Sequence, residues 1–280
     1  MAADLSYWFF RLRSALRWYA GAGTRYDVHS PYLTAFVREV YRDDRFYTAF
    51  DTLAAVRRHW RKRSGSVKLQ SLGAPSRTTD RDERSVRSLV ASNAIDDDCG
   101  RFLFRLALWL RARRIVEFGT NAGISTLYLH AADTRALLDT VEGNPAVAAL
   151  ARESFKVAGV SDRLRPHVAL FTDWLTGRDL SADGPVDLFF CDGDHRYQPT
   201  LDYVRRLLPH RGEAAVFVIA DIHWSAGMER AWTELRALPE VTASVDVYHF
   251  GLLFFQPGLD GPHLSLVPTR FKPWRVGFFS

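Results

Sequence analysis

The chain has 280 residues, of which 47% are hydrophobic, enough to bury the core of one large domain or of a domain with an extension. No apolar run approaches the roughly 18 residues of a membrane span, and Arg11 and Arg13 interrupt the apolar start, which argues against a secretory signal. The two cysteines, Cys99 and Cys191, exclude a disulfide framework and predict a protein of a reduced compartment, the cytoplasm.

Charge is distributed unevenly along the chain. Residues 1–114 hold 22 Lys and Arg against 12 Asp and Glu, a net charge of +10, whereas residues 115–280 hold 15 against 20, a net charge of −5. The basic part predicts either a contact with nucleic acid or another anionic surface, or solvated helix ends. The densest basic cluster, residues 57–63, falls at the end of a predicted helix, where the dipole favours basic side chains, so we favour the solvated helix end.

Residues 1–80 are predicted to form a basic helical extension. Helices are expected up to Gly21, over 31–42 with Pro31 in the first turn, and over 46–60, followed by a loop over 64–80. The first helix carries an apolar stripe at helical spacing, formed by Leu5, Trp8, Phe9, Leu12, Leu16 and Tyr19. The stripe could lie on a membrane, but we expect it to pack on the core, to act as a lid, or to contact a second subunit of a homodimer.

Helices over 82–93 and 98–111 lead into the most informative segment, residues 113–126. An apolar strand ends in Glu117, a turn follows with Gly119 and Gly123, and a helix opens on Ser125. Glycines let a ligand approach the backbone, and a helix start offers free N–H groups to an anion. The segment therefore predicts a site for a small charged ligand, with an ordinary tight turn as the alternative.

The spacing of this turn separates two classes of cofactor. Dinucleotide sites use G-x-G-x-x-G, but here the middle position is Asn121 and the glycines are spaced G-x-x-x-G. The acid two residues before the first glycine would repel a pyrophosphate and suit an amine. These features favour the methionine end of S-adenosylmethionine, with Glu117 facing its ammonium and Ser125 its carboxylate.

Three further predicted strands also end in polar residues. Strand 137–141 is followed by Glu142, strand 186–191 by Asp192 and His195, and strand 214–220 by Asp221. Ligands of parallel sheets bind off the carboxyl ends of the strands, so these residues are predicted to border one crevice. Glu142, about 20 residues after the glycine turn, is placed to bind ribose hydroxyls. The alternatives are a solvated turn acid for Glu142 and a cap of the helix near residue 196 for Asp192.

Residues 113–256 resemble class I S-adenosylmethionine-dependent methyltransferases, and most closely the small-molecule O-methyltransferases of the catechol and caffeoyl-coenzyme A type. Their first motif, E-L-G-T-x-x-G-x-S, matches residues 117–125 except at Phe118. Residues 29–32 and 221–225 also resemble an uncharacterised bacterial branch. The resemblance implies an α/β fold with a Rossmann-like, doubly wound, seven-stranded sheet whose last strand is antiparallel. The predicted strands 241–248 and 251–255 suit that closure, and the domain would span residues 81–280.

The resemblance also implies a set of site residues. The expected cofactor contacts are Glu117, Gly119, Thr120, Asn121, Gly123, Ser125, Glu142, Gly143, Asn144, Thr172 and Asp192. The expected catalytic residues are His195, Asp192, Asp221 and His223. His195 falls where these enzymes carry a catalytic lysine, and a histidine can serve as general base near neutral pH.

The surroundings of that base are also predicted. His223 is the second choice as base, and Asp192 or Asp194 would orient the imidazole. Trp224 and Tyr197 would wall an acceptor pocket. By analogy with relatives whose N-terminal helices cover the acceptor, residues 29–50 would shape substrate choice, through His29, Tyr32, Tyr41, Phe46 and Tyr47.

The sequence departs from metal-dependent relatives at one position. Those proteins place two adjacent polar residues after the fifth strand, whereas here Ala220 stands before Asp221. Asp192 and Asp221 alone are a thin site for magnesium, and a nitrogen from His223 would suit a transition metal better. A divalent metal is therefore not favoured.

The sequence predicts an S-adenosylmethionine-dependent methyltransferase acting at oxygen on a small-molecule acceptor. One alternative is a nucleic-acid or protein methyltransferase that uses the basic extension, although residues 192–195 do not match the Asn-Pro-Pro-Tyr tetrapeptide of base-methylating relatives. Another alternative is a non-catalytic cofactor-binding protein, motivated by Ala220.

Overall fold

A computed structural model describes residues 2–68 and 83–275. The N-terminal part is helical. Its elements are α1 (Ala2–Gly21), α2 (Pro31–Phe36) continued by a π-helical turn (Val37–Tyr41), α3 (Ala49–Lys62), β1 (Ser66–Lys68), β2 (Glu83–Ser85) and α4 (Val86–Asn93). The expected helices are present, except that the one predicted over 82–93 begins only at Val86, after strand β2. The predicted loop over 64–80 is wrong at its start. Ser66–Lys68 pairs there with Glu83–Ser85 in a small antiparallel sheet, and the rest of that loop, with the boundary near residue 80, lies outside the described residues.

The remaining chain alternates strands and helices. Its elements are α5 (Asp97–Leu110), β3 (Arg114–Phe118), α6 (Ile124–Ala132), β4 (Leu137–Glu142), α7 (Pro145–Ala158), β5 (Leu164–Val168), α8 (Phe171–Thr176), β6 (Val186–Cys191), α9 (Tyr197–Leu207), β7 (Arg211–Ala220), α10 (Ala226–Leu235), β8 (Ala243–Asp246), β9 (Phe250–Phe254) and β10 (His263–Ser265). The described part of the chain contains no helix with both the length and the apolar character to cross a membrane.

One mixed sheet of eight strands organises the fold, in the order β10-β8-β9-β7-β6-β3-β4-β5. Strand β9 runs antiparallel to both its neighbours, β7 and β8, and the other pairs are parallel. The predicted doubly wound sheet with an antiparallel last strand is therefore confirmed, with β10 as a short eighth strand that was not predicted. Strands β7, β6, β3 and β4 are parallel neighbours, so their carboxyl ends meet at one edge.

Side chains of successive strand residues point to opposite faces of the sheet, and both faces are buried. In β6, Phe189 packs with Phe217 on one face, while Phe190 packs with Phe250 on the other. The N-terminal helices share the second of these cores, since Phe36 of α2 contacts Phe254 at a ring-centroid distance of 5.3 Å. The extension is thus packed on the sheet from α2 onwards.

Helix α1 lies across the carboxyl-end edge of the sheet. Tyr7 contacts Trp224, which follows β7, and Trp18 contacts Tyr248, in the turn between β8 and β9, with centroid distances of 5.6 and 5.1 Å. The predicted stripe faces away from these contacts. Trp8, Phe9, Leu12 and Leu16 are 63, 68, 59 and 60% exposed, so the expectation that these side chains pack on the core is wrong.

Candidate active site

The glycine turn after β3 is required by close packing. Gly119 has a φ of 97°, and a Cβ there would lie 2.1 Å from the carbonyl oxygen of Asp192, at the end of the neighbouring strand β6. Gly123 has a φ of 78°, and its Cβ would lie 2.6 Å from a ring carbon of Phe155 in α7. L side chains rarely adopt such backbone conformations. Both glycines therefore let elements of the fold approach each other, a reason that the sequence pattern alone did not reveal.

Glu117 is fully buried within a group of hydroxyls. Its Oε2 accepts hydrogen bonds from Thr126 and from Thr140, the latter at 2.6 Å, and Thr140 contacts Thr120 Oγ1 at 2.6 Å. Burial raises the pKa of Glu117 to about 7, although the nearby hydroxyls of Ser125, Thr126 and Thr140 lower it. The carboxyl group is therefore poised to change charge near neutral pH.

The second oxygen of Glu117, Oε1, has no hydrogen-bond partner among the described residues. Buried polar atoms are nearly always paired, because leaving one without a partner costs free energy. This atom is an acceptor at the carboxyl end of a central strand, so an ammonium donor suits it. The contact between Glu117 and the amino group of a cofactor stays a prediction, because this side chain is fully buried.

Glu142 is held by backbone donors at the end of β4. Its Oε2 accepts from the N–H of Asn121 at 3.0 Å, and its Oε1 accepts from the N–H of Asn144 at 2.9 Å. Burial raises the pKa of this carboxyl group, against backbone hydrogen bonds that include the one from Gly143. Each oxygen keeps a lone pair for a further donor, which suits neighbouring hydroxyls.

The neighbours of Glu142 are fixed by their own contacts. Asn121 has a φ of 49°, and its side-chain amide donates to the carbonyl of Asn93 at 3.0 Å. The side chain of Asn144 accepts from the N–H of Ala146 at 3.1 Å and so caps α7. The end of α4 thus reaches the glycine corner, a contact that the sequence analysis did not predict.

Two further predicted cofactor contacts, Ser125 and Thr172, differ in burial. Ser125 is buried in the first turn of α6, near Glu117. Thr172 is exposed on α8, and its hydroxyl contacts only Asp173 among the described residues, at 3.4 Å. The adjacent Phe171, which was not predicted, stacks on Phe118 with centroids 4.6 Å apart and lies against Gly193.

Asp192, His195 and Asp221 form a second group at the ends of β6 and β7. His195 Nε2 lies 3.7 Å from a carboxylate oxygen of Asp192 and 3.7 Å from one of Asp221. One atom from each of the three residues can be chosen so that all lie within 4.8 Å of one another. Asp192 keeps 28% of its side chain exposed, yet burial of the carboxyl group raises its pKa to about 6; His195 lowers it and Asp221 raises it.

Two expected roles next to this group are not supported by the contacts. Helix α9 begins after Arg196 with no side-chain cap, so the alternative that Asp192 caps it is wrong. Asp194 accepts hydrogen bonds from Arg196 and from the hydroxyl of Tyr203, the latter at 2.7 Å. It is therefore committed elsewhere, and Asp192 is the carboxylate next to the imidazole of His195.

His223 lies apart from the Asp192 group in its contacts. Its Nε2 is 2.9 Å from Asp246, and its Nδ1 is 3.2 Å from Glu229 and 3.3 Å from Ser14 of α1. Burial opposes the charged imidazole, but the carboxylates of Asp246 and Glu229 outweigh it and raise the pKa of His223. Because both ring nitrogens are engaged, this histidine joins α1 to the sheet edge and is poorly placed to take a substrate proton.

Trp224 and Tyr197, which were predicted to line an acceptor pocket, have different surroundings. Trp224 is half-buried at the edge, beneath Tyr7 and with the guanidinium of Arg11 5.1 Å from its ring. Tyr197 points away, because its hydroxyl donates to Glu234 at 2.6 Å.

Of residues 29–50, Tyr32 and Tyr47 pack against α5, on Trp109 and Phe104, at centroid distances of 5.0 and 4.8 Å. Helix α1, rather than these residues, covers the edge beside Asp221.

Part of this sequence is similar to known methyltransferases. Residues 116–222 match a family model described as a methyltransferase domain. The catechol O-methyltransferase of Mycobacterium tuberculosis is 32% identical over 136 residues, which are 48% of this chain and 60% of that protein. The catechol O-methyltransferase of Niastella koreensis is 31% identical over 102 residues, 36% of this chain and 46% of that protein. The matches span less than two thirds of these relatives.

Solved structures share the fold of this chain. The O-methyltransferase TomG of Streptomyces achromogenes, in complex with S-adenosylmethionine, has a TM-score of 0.54 at 21% identity, covering 76% of this chain and 91% of that one. The O-methyltransferase of Bacillus cereus, in complex with S-adenosylhomocysteine, has a TM-score of 0.55 at 18% identity, covering 80% and 96%. The fold of this chain is therefore similar to those of two proteins whose structures contain S-adenosylmethionine or S-adenosylhomocysteine.

Proposed function

We propose that this chain transfers the methyl group of S-adenosylmethionine to a hydroxyl oxygen of a small molecule. The observation that carries the proposal is that the unpartnered oxygen of Glu117, near the end of β3, and the imidazole of His195, just after β6, lie at the carboxyl ends of adjacent parallel strands. The residues expected to bind the cofactor would thus lie beside a histidine that can accept a proton. The names of the relatives, catechol O-methyltransferases, support an oxygen acceptor.

The residues of the corner fit the cofactor group by group. Glu117 Oε1 would accept from the ammonium, and the free N–H groups at the start of α6, with Ser125, would face the carboxylate. Glu142, held by two backbone donors, would accept from the ribose hydroxyls. These three contacts would fix the cofactor along the ends of β3 and β4.

When bound, S-adenosylmethionine supplies an electrophilic methyl group on its sulfonium. The chain's part is to orient the acceptor hydroxyl and to remove its proton. His195 Nε2 would accept that proton as the acceptor oxygen takes the methyl group, with the sulfide form of the cofactor as leaving group. The carboxylates of Asp192 and Asp221, each 3.7 Å away, stabilise the imidazolium that results.

A metal-assisted version of the reaction is the second candidate, because one ligand atom from each of Asp192, His195 and Asp221 lies within 4.8 Å of the others. Two oxygens and one nitrogen suit a divalent transition metal better than magnesium. In that case His195 would be a ligand and not the base. The two versions differ in their response to a chelator.

The basic cluster gives less support to nucleic acid as acceptor. Arg57 lies 2.6 Å from Asp97, and both His59 and Arg63 lie near Glu153, at 2.7 and 3.3 Å. These acids offset part of the positive charge of the cluster. We therefore retain a small molecule as the proposed acceptor.

Calorimetric titration with S-adenosylhomocysteine and turnover with a panel of phenols, hydroxy acids and amines test the proposal. His195→Ala should keep its affinity for S-adenosylhomocysteine and lose about 10²- to 10⁴-fold in turnover. The matched control is His210→Ala, because His210 precedes β7 at the opposite edge of the sheet. A chelator should leave turnover unchanged.

Each other outcome has a defined meaning. Absence of cofactor binding would refute the proposed function. Cofactor binding without turnover on any acceptor would favour a non-catalytic protein. Loss of activity with a chelator, restored by a divalent metal, would replace the base role of His195 with the metal-assisted version.

A further inference from the structure

Helix α1 docks through one face and exposes the opposite one. With 3.6 residues per turn, Tyr7, Ser14 and Trp18 share the docked face. The exposed face carries the stripe of Trp8 (63%), Phe9 (68%), Leu12 (59%) and Leu16 (60%). A surface helix normally buries its apolar stripe, and contiguous exposed apolar surface marks an interaction site.

The stripe continues into the segment 269–275. The hydroxyl of Tyr19, on the same side of α1 as Leu16, donates to the carbonyl of Phe271 at 2.6 Å. The ammonium of Lys272 donates to the carbonyl of Ala22 at 2.7 Å, which ties this segment to the end of α1. Phe271 and Trp274 are 52 and 67% exposed. We call the exposed side chains of the stripe and of this segment the α1 surface.

The segments that carry the α1 surface are basic, although Arg17 lies 2.8 Å from Glu229 and Arg275 lies 3.5 Å from Asp27. Residues 2–21 and 269–275 contain six basic residues and one acid, Asp4. At helical spacing, Arg13 and Arg17 follow the stripe on one side, and Arg11 lies on the other. Arginines on both flanks of a stripe rich in Trp, Phe and Leu are typical of helices that lie in a membrane interface.

We propose that the α1 surface docks on an anionic lipid bilayer, with its apolar side chains entering the headgroup boundary and its arginines facing lipid phosphates. Charge favours this partner over a second copy of the chain, because pairing two α1 surfaces would bring like charges together, whereas an anionic leaflet attracts them. The binding would be peripheral. It is independent of methyl transfer.

Co-sedimentation of the full chain with vesicles tests this proposal. We expect binding to equimolar phosphatidylglycerol and phosphatidylcholine, weakened by high salt, and at least about tenfold weaker binding to pure phosphatidylcholine. The double variant Leu12→Glu with Leu16→Glu should lose at least about tenfold in affinity for the anionic vesicles. Arg13→Ala should lose about fivefold.

The matched control is Phe46→Glu, because Phe46 is also 63% exposed but lies outside the α1 surface, next to Phe50. It should bind vesicles as the unaltered chain does. Calorimetry with S-adenosylhomocysteine should give equal affinities for all variants, which separates loss of docking from loss of fold or of the cofactor site. Equal binding to both vesicle types, or to neither, would overturn the proposal. So would light scattering that shows a dimer which Leu12→Glu converts to a monomer, since that result would assign the surface to a second copy.

Discussion

Replacing Glu117 with glutamine should stabilise the fold at alkaline pH while weakening cofactor binding. The carboxyl group of Glu117 is fully buried with one oxygen unpartnered, and burial raises its pKa to about 7. Above that pH the folded chain holds a buried negative charge, which is costly without a compensating cation. Glutamine has nearly the same shape, keeps an oxygen for the hydroxyls of Thr126 and Thr140, and carries no charge.

The size of the effect follows from linkage. The unfolded chain loses this proton near a pKa of about 4.3, and the folded chain near 7, so between these values the folded state binds more protons. The free energy of unfolding contributed by this group is therefore greatest below about pH 4.3 and is lost as pH rises toward 7. At about 1.4 kcal/mol per pH unit, the total loss is at most about 4 kcal/mol. The Glu117→Gln variant should lack this decline.

Urea unfolding of the wild type and of Glu117→Gln at several pH values from about 5 to 8 measures the difference. The stability of the variant relative to wild type should rise with pH by about 2 to 3 kcal/mol over this range, since most of the titration window falls within it. Glu213→Gln, at an exposed acid of β7, serves as control and should show no such trend. Affinity for S-adenosylhomocysteine should fall in Glu117→Gln. Parallel stability curves for the two proteins would refute the assignment of a raised pKa to Glu117.

Three further changes test other parts of the site. Gly119→Ala should cost about 2 to 4 kcal/mol of stability, because its Cβ would lie 2.1 Å from a carbonyl oxygen at a φ of 97°. The control Gly21→Ala, whose Cβ would have no atom within 4 Å, should cost little, and equal losses of the two variants in urea unfolding would contradict this. Glu142→Gln should weaken cofactor binding about 10- to 100-fold by calorimetry with the circular dichroism unchanged, and full affinity would remove it as the ribose ligand. His195→Ala should lower turnover alone, and undiminished turnover would remove it as the base.

The positions of the site acids could be predicted from the sequence because the information is local. Glu117, Glu142, Asp192 and Asp221 each lie at or just after the end of a predicted strand, and parallel strands bring such ends together. The turn conformations could not be predicted. Asp194 and Asp221 both adopt a positive φ, of 52° and 54°, in the turns that follow β6 and β7.

Contacts between distant segments explain the expectations that differ from the structure. His223 has the residue type and sequence position of a catalytic group, but its partners Ser14, Glu229 and Asp246 come from three separate elements. The apolar stripe of α1 was likewise expected to pack on the core, but its side chains are exposed. Helical periodicity predicts which side chains share a face, but which face docks depends on what the sheet edge presents, here Trp224 and its neighbours.

The candidate site contains two acids with raised pKa values, Glu117 in β3 and Asp192 after β6. Burial raises the pKa of Glu117 to about 7 and that of Asp192 to about 6, and the charge of Asp192 further raises the pKa of Glu117. A corner with two such acids disfavours holding both negative charges without a cation. On the proposed function, S-adenosylmethionine brings an ammonium and a sulfonium, and both stabilise the ionised acids. After transfer the product has lost the sulfonium charge, so part of that stabilisation disappears and the repulsion between the acids returns. The same buried carboxyl groups that destabilise the chain without cofactor would thus favour binding of S-adenosylmethionine over binding of S-adenosylhomocysteine.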